Sequence, residues 1–469
     1  MPQLRRCHEA QQFAFDFGEP SRYATAFEDE DGLVMRYGLD DGEINERLGV
    51  LLPGELADLL DIAVAVYMSD RLAVRGGPSQ PDWRRALAIQ IPVRHIELWR
   101  GHDVQDALHD VLSFLTQDDW QISLCQRPTR IRRLAQSQQH LLSNHVSGGP
   151  VHVGLLSGGL DSFVGTAAAI GREPAREYVC VSGVANYRQG DRQKEQVKCL
   201  RSLSPRSLTH VRIACWLQDA GEVRQEPTRR TRGFLFLALG AAAALTAGTD
   251  TLWLYENGVG ALNLPFADGE LGVSTSRSVH PKTLKRMGAL VSLIAGSAFT
   301  IRNGAVLRTK AQMCSDPRLA PVRTGIPRTF SCDAFPLRQR GASQCGVCTS
   351  CLLRRMALWN AGLSEYDAVG YRYDVCSPTL ALGVRQARGI SEMDWQVARL
   401  ASAISQPDPW RGLVNEFPSL VEAQQSLAGH LDLSDAAVAV QLVELYRWHC
   451  EEWRRFPGAP LAMVRREAA

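Results

Sequence analysis

The residues with the clearest chemical potential form a short stretch rich in serine and glycine, Ser157-Gly-Gly-Leu-Asp-Ser162. An apolar run over residues 151–156 predicts a buried strand before it, and residues 163–170 predict a helix after it. A glycine turn between strand and helix lets backbone N–H groups approach an anion, because glycine has no Cβ. The serine hydroxyls can donate further hydrogen bonds, and Asp161 can hold Mg²⁺ against phosphates. The pattern predicts a phosphate-binding loop, with an ordinary tight turn as the alternative.

Four cysteines have the spacing of a metal site. Cys345, Cys348 and Cys351 form a CxxCxxC pattern, and Cys332 lies upstream with 12 residues between it and Cys345. Four thiolates suit tetrahedral Zn²⁺. An iron–sulfur cluster takes the same ligands, and a chance group of core cysteines is the other alternative. The remaining cysteines are isolated and are interpreted as small buried hydrophobic side chains.

A third group of polar residues follows a later predicted strand. Asn257 and Asn263 lie on a glycine-rich stretch, and Arg277 and His280 precede a predicted helix. Amide groups can hydrogen-bond to the edge of a nucleobase, and arginine can pair with a carboxylate or phosphate. Asparagine and glycine also favour loops for backbone reasons alone. A substrate site and plain turn chemistry therefore both stay open for these residues.

Three arginines lie at the start of the predicted helix over residues 232–248. Cationic side chains such as Arg229, Arg230 and Arg232 are unfavourable for the dipole at a helix N-terminus. A bound anion would explain them, and an exposed basic turn is the alternative. The apolar part of this helix is shorter than the roughly 20 residues that span a bilayer, so it is predicted to be buried.

Strands and helices alternate through the middle of the chain. The predicted strands cover residues 151–156, 178–182, 210–215 and 251–255, and the predicted helices cover 163–170, 193–202, 232–248 and 281–295. Such alternation predicts an α/β fold with a doubly wound parallel sheet. Ligands of these folds bind at the carboxyl ends of the strands, which is where the serine-glycine stretch lies.

The flanking regions predict two further units. Residues 1–145 are predicted to form a separate N-terminal α+β accessory domain that begins with a loose arm over residues 1–20. Residues 150–375 are predicted to form the central domain with its zinc-binding segment. Residues 377–469 are predicted to form a helical C-terminal extension, since apolar residues recur at helical spacing on both sides of a proline-rich break.

Charge and cysteine content limit the class of protein. The chain has 469 residues and a net charge of only +2. Residues 1–50 carry 11 acidic residues and 5 arginines, whereas residues 301–360 carry 10 basic residues and 2 aspartates. The basic region could serve an anionic ligand such as a nucleotide or RNA, or it could be a solvated surface. With no apolar signal-peptide core at the N-terminus, the 12 cysteines indicate a reducing cytoplasm.

The loop resembles that of the PP-loop ATP pyrophosphatases, which cleave ATP to AMP and pyrophosphate. With the Arg232-Gly-Phe-Leu-Phe helix start and the Cys…CGVCTSCLLRR segment, residues 150–375 resemble the 7-cyano-7-deazaguanine synthase (QueC) family. The resemblance implies the HUP fold (adenine nucleotide alpha hydrolase-like) and the use of ATP, Mg²⁺ and a structural Zn²⁺. Members of that family adenylate the carboxylate of 7-carboxy-7-deazaguanine, add ammonia, and dehydrate the amide to a nitrile.

The resemblance also implies roles for individual residues. ATP would contact the loop, zinc would be bound by four thiolates, and Ser157, Asp161 and Arg232 would be catalytic. The loop residues are Ser157, Gly158, Gly159, Leu160, Asp161 and Ser162, and the zinc ligands are Cys332, Cys345, Cys348 and Cys351. The chain departs from the family at Gly233, where the family has asparagine, over residues 187–193, and in its greater length.

The ENGVGALNLPF and SRSVHP segments resemble the defence-associated branch of the family, which includes QatC of the Qat antiphage system. That resemblance implies an amine acceptor on a protein encoded in the same operon, with Asn257, Asn263, Arg277 and His280 at a site for a 7-carboxy-7-deazaguanine-like molecule. No membrane partner is expected, and nucleic acid is not favoured. The alternatives are the housekeeping nitrile synthase, a PP-loop enzyme acting on RNA, and a nucleotide sensor that has lost turnover.

Overall fold

The computed structural model describes residues 11–17, 23–28, 32–73, 75, 84–127, 150–204, 208–218, 226, 230–268, 276–334, 343–377 and 382–459. The strands in these ranges are β1 (Gln11–Asp16), β2 (Tyr23–Glu28), β3 (Gly32–Asp40), β4 (Ala86–Val93), β5 (Asp119–Gln126), β6 (Val151–Leu155), β7 (Glu177–Val184), β8 (Leu208–Gln218), β9 (Thr251–Leu254) and β10 (Thr300–Asn303). They form one sheet in the order β10-β9-β6-β7-β8-β3-β2-β1-β4-β5.

The helices begin and end as follows. They are α1 (Gly42–Leu48), α2 (Gly54–Leu72), α3 (Ile96–Arg100), α4 (His102–Thr116), α5 (Leu160–Arg172), α6 (Tyr187–Leu200), α7 (Arg232–Thr246), α8 (Gly258–Leu262), α9 (Pro281–Ala295), α10 (Lys310–Cys314), α11 (Thr349–Asn360), α12 (Val384–Ile404), α13 (Pro409–Glu416), α14 (Ser419–Leu431) and α15 (Asp435–Arg455). In the part of the chain covered by the structure, no helix is long and apolar enough to cross a membrane.

One half of the sheet, from the edge strand β10 to β8, confirms the predicted α/β fold. Strands β10, β9, β6, β7 and β8 pair in parallel. Helices α7 and α9 bury apolar side chains against one face, and α5 and α6 do so against the other. The sheet is therefore doubly wound. The carboxyl end of β6 leads directly into the Ser157–Ser162 stretch.

The N-terminal residues extend this sheet and do not form the separate unit that the sequence predicts. Strand β3 pairs antiparallel with β8 from Asp40↔Ala214 to Arg36↔Gln218. The expectation of a loose arm over residues 1–20 is also wrong for β1, which lies between β2 and β4. An open edge on β8 would expose unpaired backbone groups, and β3 covers part of it. The predicted boundary near residues 145–150 falls largely outside the described residues.

A buried polar network joins the N-terminal part to the start of α7. The Thr231 hydroxyl, fully buried, donates a hydrogen bond to Asp70 Oδ2 at 2.8 Å. Asp70 also pairs with Arg85 at 2.5 Å, and Arg85 pairs with Asp118 at the same distance. Because Thr231 directly precedes Arg232, this network fixes the end of α7 that faces the functional site.

The C-terminal residues form helices α12–α15, as the sequence predicts. They share a core with α8 and α11. The Gln396 side-chain amide donates a hydrogen bond to the Leu264 carbonyl at 3.0 Å, and Lys282 of α9 pairs with Glu422 at 2.6 Å. The C-terminal helices therefore contact both the loop that follows α8 and helix α9.

Candidate active site

The Ser157–Ser162 loop has the conformation of an anion-binding turn. Gly158 adopts a φ of 93°, in the left-handed region that favours glycine. A Cβ at Gly158 would lie 2.5 Å from a ring carbon of Phe330, so a side chain is excluded there for steric reasons as well. Helix α5 begins two residues later, which leaves its first N–H groups at the loop.

The two loop serines order the turn through their hydroxyl groups. Ser157 Oγ lies 3.1 Å from Ser162 Oγ and accepts a hydrogen bond from the Gly159 N–H at 3.2 Å. Ser162 Oγ donates to the Gly159 carbonyl at 3.1 Å. The loop is therefore preorganised, so little reordering is needed when an anion binds.

Three glutamines of α6 donate hydrogen bonds to backbone carbonyls of the loop. The sequence analysis missed them. Gln196 donates a side-chain hydrogen bond to the Gly158 carbonyl at 2.8 Å, and Gln193 and Gln189 donate to the Ser157 carbonyl at 3.1 and 3.3 Å. All three are buried. Their spacing of four and three residues on one helix face is the signal that could have revealed them. The segment over residues 187–193, which departs from the family pattern, supplies two of the three.

Asp161 lies in a buried charge cluster rather than facing solvent. Its Oδ1 pairs with Lys310 Nζ at 3.0 Å, and its Oδ2 accepts a hydrogen bond from the Asn257 amide at 2.6 Å. Burial raises the pKa of Asp161, but Lys310 and hydrogen bonds from Glu256 and Asn257 outweigh it, so the pKa lies below its usual value. Burial and the Asp161 charge raise the pKa of Glu256 well above its ordinary value. These opposite pKa directions favour the ionised form of Asp161 beside Lys310 and the protonated form of Glu256.

Lys310 and Glu256 were not predicted from the sequence. Lys310 opens α10 after Thr309, which forms a capping box with Gln312 through hydrogen bonds of 3.1 and 2.9 Å. The Thr309 hydroxyl donates to Glu452 of α15 at 2.5 Å. The capping pattern in the sequence could have indicated the helix, but only the fold shows that its lysine meets Asp161.

The contact between Thr309 and Glu452 predicts a pH-dependent stability. Burial raises the pKa of Glu452 to about 7, although the Thr309 hydrogen bond opposes this. Between pH 4.5 and 7 the folded chain keeps a proton that the unfolded chain releases. The free energy of unfolding should therefore fall by about 3 kcal/mol as the pH rises through this window. Denaturant unfolding at pH 5 and pH 8 measures it.

Two variants of α15 make that measurement specific to Glu452. Glu452→Gln removes the titrating group and keeps the acceptor for Thr309, so the decrease between pH 5 and pH 8 should be largely lost. Glu451→Gln is the matched control, because Glu451 pairs with Arg455 in a partly exposed contact. The control should retain the full decrease, and equal slopes for the two variants would contradict the role of Glu452.

Two adjoining cavities meet at the loop. The first has a volume of about 310 Å³ and is lined by polar groups that include Asp161, Lys310 and Ser350. The second has a volume of about 330 Å³ and a mostly apolar lining that includes Val181 and Phe236. The side chains shared by both cavities are Ser157, Ser162, Gln189, Arg232, Glu256 and Phe330. The structure thus brings together the predicted residues Ser157, Asp161 and Arg232, whose catalytic roles stay predictions.

The four predicted substrate-binding residues do not line either cavity within the described residues. Asn257 caps α8 and supports Asp161, and Asn263 has a φ of 45° and donates to the Ser276 carbonyl at 3.0 Å. The Arg277 guanidinium stacks on Phe114 at 4.5 Å from the ring centre, and His280 caps α9. These contacts favour the structural alternative, in which turns and caps explain the residues. Ser276 and Ser278 line the apolar cavity instead.

The three arginines predicted at the start of α7 do not form one cluster at the site. Arg229 lies outside the described residues. Arg230 donates to the Thr116 carbonyl at 3.1 Å, which joins it to the N-terminal part. Of these arginines, Arg232 is the one that the structure places at the cavities, where it also stacks over Phe236 at 4.9 Å from the ring centre.

The four cysteines converge as the sequence predicts. The sulfur atoms of Cys332, Cys345, Cys348 and Cys351 all lie within 4.8 Å of one another. Backbone N–H groups of Cys345 and Cys348 donate to the sulfurs of Cys332 and Cys345, each at 3.3 Å. Such N–H···S bonds stabilise thiolates, and four thiolates at this separation could hold Zn²⁺.

The cysteine cluster adjoins the polar cavity. Cys348 immediately precedes α11 and Cys351 lies in its first turn. Gly346 has a φ of 86°, and a Cβ there would lie 2.1 Å from the Tyr373 carbonyl oxygen, so the CxxC turn requires glycine. Cys332 and Ser350 line the cavity. A metal bound by the four thiolates would therefore hold one wall of the site in place.

Comparison with known proteins agrees with this arrangement. No protein-family model matches the chain. A 7-cyano-7-deazaguanine synthase from Nitrosococcus oceani is 29% identical over 241 residues, which is 46% of this chain and 96% of the relative. Another, from a Synechococcus species, is 30% identical over 250 residues, which is 49% of this chain and 97% of the relative. The chain belongs to the 7-cyano-7-deazaguanine synthase family.

The family resemblance predicted from the loop, the α7 start and the cysteines is thereby confirmed. The synthases are matched over nearly their whole length by about half of this chain. The other half has no counterpart in those two relatives. The resemblance to the defence-associated branch stays a prediction.

Proposed function

We propose that this protein is an ATP-dependent, AMP-forming enzyme that activates the carboxylate of a 7-deazaguanine and joins it to an amine as an amide. The observation that carries the proposal is the junction of the polar cavity with the apolar one. The loop and the buried cations suit a polyphosphate, and the apolar cavity suits a flat heterocycle. Arg232 lies where the two meet, which is where a carboxylate and the α-phosphate must come together.

The reaction proceeds in two displacements. A carboxylate oxygen attacks the α-phosphorus of ATP, and the bond to the β-phosphate oxygen breaks to release pyrophosphate. The amine nitrogen then attacks the carbonyl carbon of the acyl-adenylate, AMP leaves, and the nitrogen loses a proton. The chain contributes position and charge, since Arg232 and the Lys310–Asp161 pair surround the place where negative charge shifts. Mg²⁺, held by Asp161, would neutralise phosphate charge, in competition with Lys310.

The proposed acceptor is an amine on a protein encoded in the same operon, in an antiphage defence system. This finer proposal rests on the ENGVGALNLPF and SRSVHP segments and on the half of the chain that the synthases lack. The N-terminal strands and the C-terminal helices flank the elements that carry the site. Standard protein interfaces bury about 800 Å² per partner, which added elements of this size can supply.

Mass spectrometry of the neighbouring protein tests the proposal. After incubation with ATP, 7-carboxy-7-deazaguanine and the wild-type chain, the partner should gain one amide-linked base, and one pyrophosphate should be released per conjugate. Ser157→Ala should give neither product. Pyrophosphate release that requires tRNA would instead identify an RNA-modifying enzyme, and no release under any condition would identify a sensor.

The nitrile synthase is the second candidate, because both relatives carry that name. Its product is distinguished in the same assay by supplying ammonia together with the partner. Free 7-cyano-7-deazaguanine, formed while the partner stays unmodified, would establish the nitrile synthase and overturn the conjugation.

A further inference from the structure

A third cavity, of about 450 Å³, lies between α1, α6 and the first half of β8. It shares no lining residue with the two cavities at the loop. Four cations line it, together with one carboxylate among its described lining residues, Glu46. The cations are Arg47, Lys194, Arg201 and Arg212. The described lining of this cavity is therefore strongly cationic.

The fold explains how these side chains meet. Lys194, Val197 and Arg201 recur at helical spacing along α6 and the turn that follows it, on a different face from the glutamines that hold the loop. Strand β3 begins to pair with β8 only at Ala214. The edge of β8 from Leu208 to Arg212 therefore opens into the cavity, which α1 closes from the other side.

The positive charge of this cavity is only partly balanced by the carboxylates described around it. The Nε of Arg212 is buried and has no hydrogen-bond partner among the described residues. Lys194 comes no closer than 4.0 Å to Asp191, and both are more than half exposed. Arg47 pairs with Glu43 at 3.1 Å in an exposed contact. Buried donors of this kind are nearly always paired in folded proteins. A bound ligand would supply the hydrogen-bond acceptor that the Arg212 Nε lacks.

His210 lines the cavity together with these cations. Its ring accepts or donates one hydrogen bond with the Ser182 hydroxyl at 2.9 Å. Burial lowers its pKa to about 3, and the charges of Arg212, Arg201, Arg47 and Lys194 lower it further in that order. Burial and the neighbouring cations therefore both favour the neutral form of the histidine.

We propose that this cavity binds a small phosphate-bearing ligand of the nucleoside phosphate class, at a site separate from the Ser157–Ser162 loop. Guanidinium groups pair with phosphate oxygens in a planar, two-pronged geometry that suits Arg201 and Arg212. The volume lies in the usual range of small-molecule sites, about 300–1,000 Å³. Nucleic acid requires cations along an extended track, whereas these converge on one cavity.

Calorimetric titration of the full chain with ADP, in EDTA, tests this site by stoichiometry. Arg201→Gln/Arg212→Gln should bind one ADP fewer per chain than wild type, because affinity for the cavity falls at least ~10-fold when two charged donors are lost. Lys285→Gln/Arg385→Gln is the control, since it removes the same charge at two exposed positions elsewhere. The control should bind as wild type does.

Lys194→Glu keeps the test decisive if the double variant unfolds. Its side chain is 54% exposed, so the fold should tolerate the change, and ADP affinity of the cavity should again fall at least ~10-fold. Wild-type stoichiometry and affinity in Lys194→Glu, with an unchanged melting temperature, would overturn the proposal. Binding of a 5′-phosphorylated oligonucleotide but not of ADP, lost in the same variants, would also overturn it by assigning the cavity to nucleic acid.

Discussion

Asp161→Asn should lower the rate of pyrophosphate release by ~100-fold or more, because preorganised charge near the transferred group commonly contributes that much. The same change should also weaken the fold. It leaves Lys310 buried without its carboxylate partner at 3.0 Å, and breaking a buried ion pair from one side costs about 3 kcal/mol or more. Release of pyrophosphate and denaturant unfolding, measured on the same preparation, separate the two effects.

A second substitution distinguishes lost charge from lost structure. In Asp161→Asn/Lys310→Met the uncompensated cation is gone, so the free energy of unfolding should recover by about 1 kcal/mol or more relative to Asp161→Asn. The rate of pyrophosphate release should stay low in the double variant. Recovery of the rate together with stability would show that Asp161 serves the fold alone.

Ser157→Ala offers the complementary case, in which activity falls and stability does not. Among the described residues, the Ser157 hydroxyl hydrogen-bonds with the Ser162 hydroxyl and the Gly159 N–H, at an exposed position. We expect a change below about 1 kcal/mol in unfolding free energy. Ser202→Ala, which removes an exposed hydroxyl bonded to the Cys199 carbonyl, is the matched control. Equal pyrophosphate release by both variants would remove Ser157 from the proposed site.

The strands and helices of the central domain could be predicted because their signals are local. Apolar runs and glycine turns determine β6, α5 and α9 within a few residues, and the helix over Pro281–Ala295 begins and ends where the sequence places it. The cysteine cluster is local as well, since three of its four members lie within one turn and a helix start. Such features need no knowledge of distant residues.

The N-terminal strands show where local signals are insufficient. Phe13, Phe15 and Phe17 alternate and are buried, which is a strand pattern, yet β1 pairs with β4 about 75 residues further along the chain. Pairing of β3 with β8 crosses an even longer separation. Nothing in the residues themselves specifies these partners, so the continuous sheet was not foreseeable.

The roles of the polar residues around the site could not be predicted from the sequence for a related reason. Asn257 has the residue type of a ligand-binding amide, but its neighbours in space turn it into a support for Asp161. Lys310 lies far from the loop in sequence and is placed beside Asp161 only by α10. Residue type and spacing therefore identified the loop, and the tertiary contacts decide which other side chains serve it.

Loss of one cysteine ligand should have the largest effect on stability. We expect one Zn²⁺ per chain, held by the thiolates that converge within 4.8 Å. Structural zinc contributes on the order of 10 kcal/mol to the folding of small peptides, so Cys351→Ser should lower the unfolding free energy by several kcal/mol. Cys351 is fully buried at the start of α11, where water cannot replace the lost ligand. Metal analysis and denaturant unfolding measure both quantities.

Cys376→Ser is the control for that experiment, because Cys376 is a half-buried cysteine close in sequence that lies outside the cluster. It should keep its zinc and lose at most about 1 kcal/mol. A chelator should destabilise wild type and Cys376→Ser alike, and it should have little further effect on Cys351→Ser. Iron with charge-transfer absorbance would instead mean a cluster. A metal-free chain with unchanged stability would mean that the four thiols pack together without a metal.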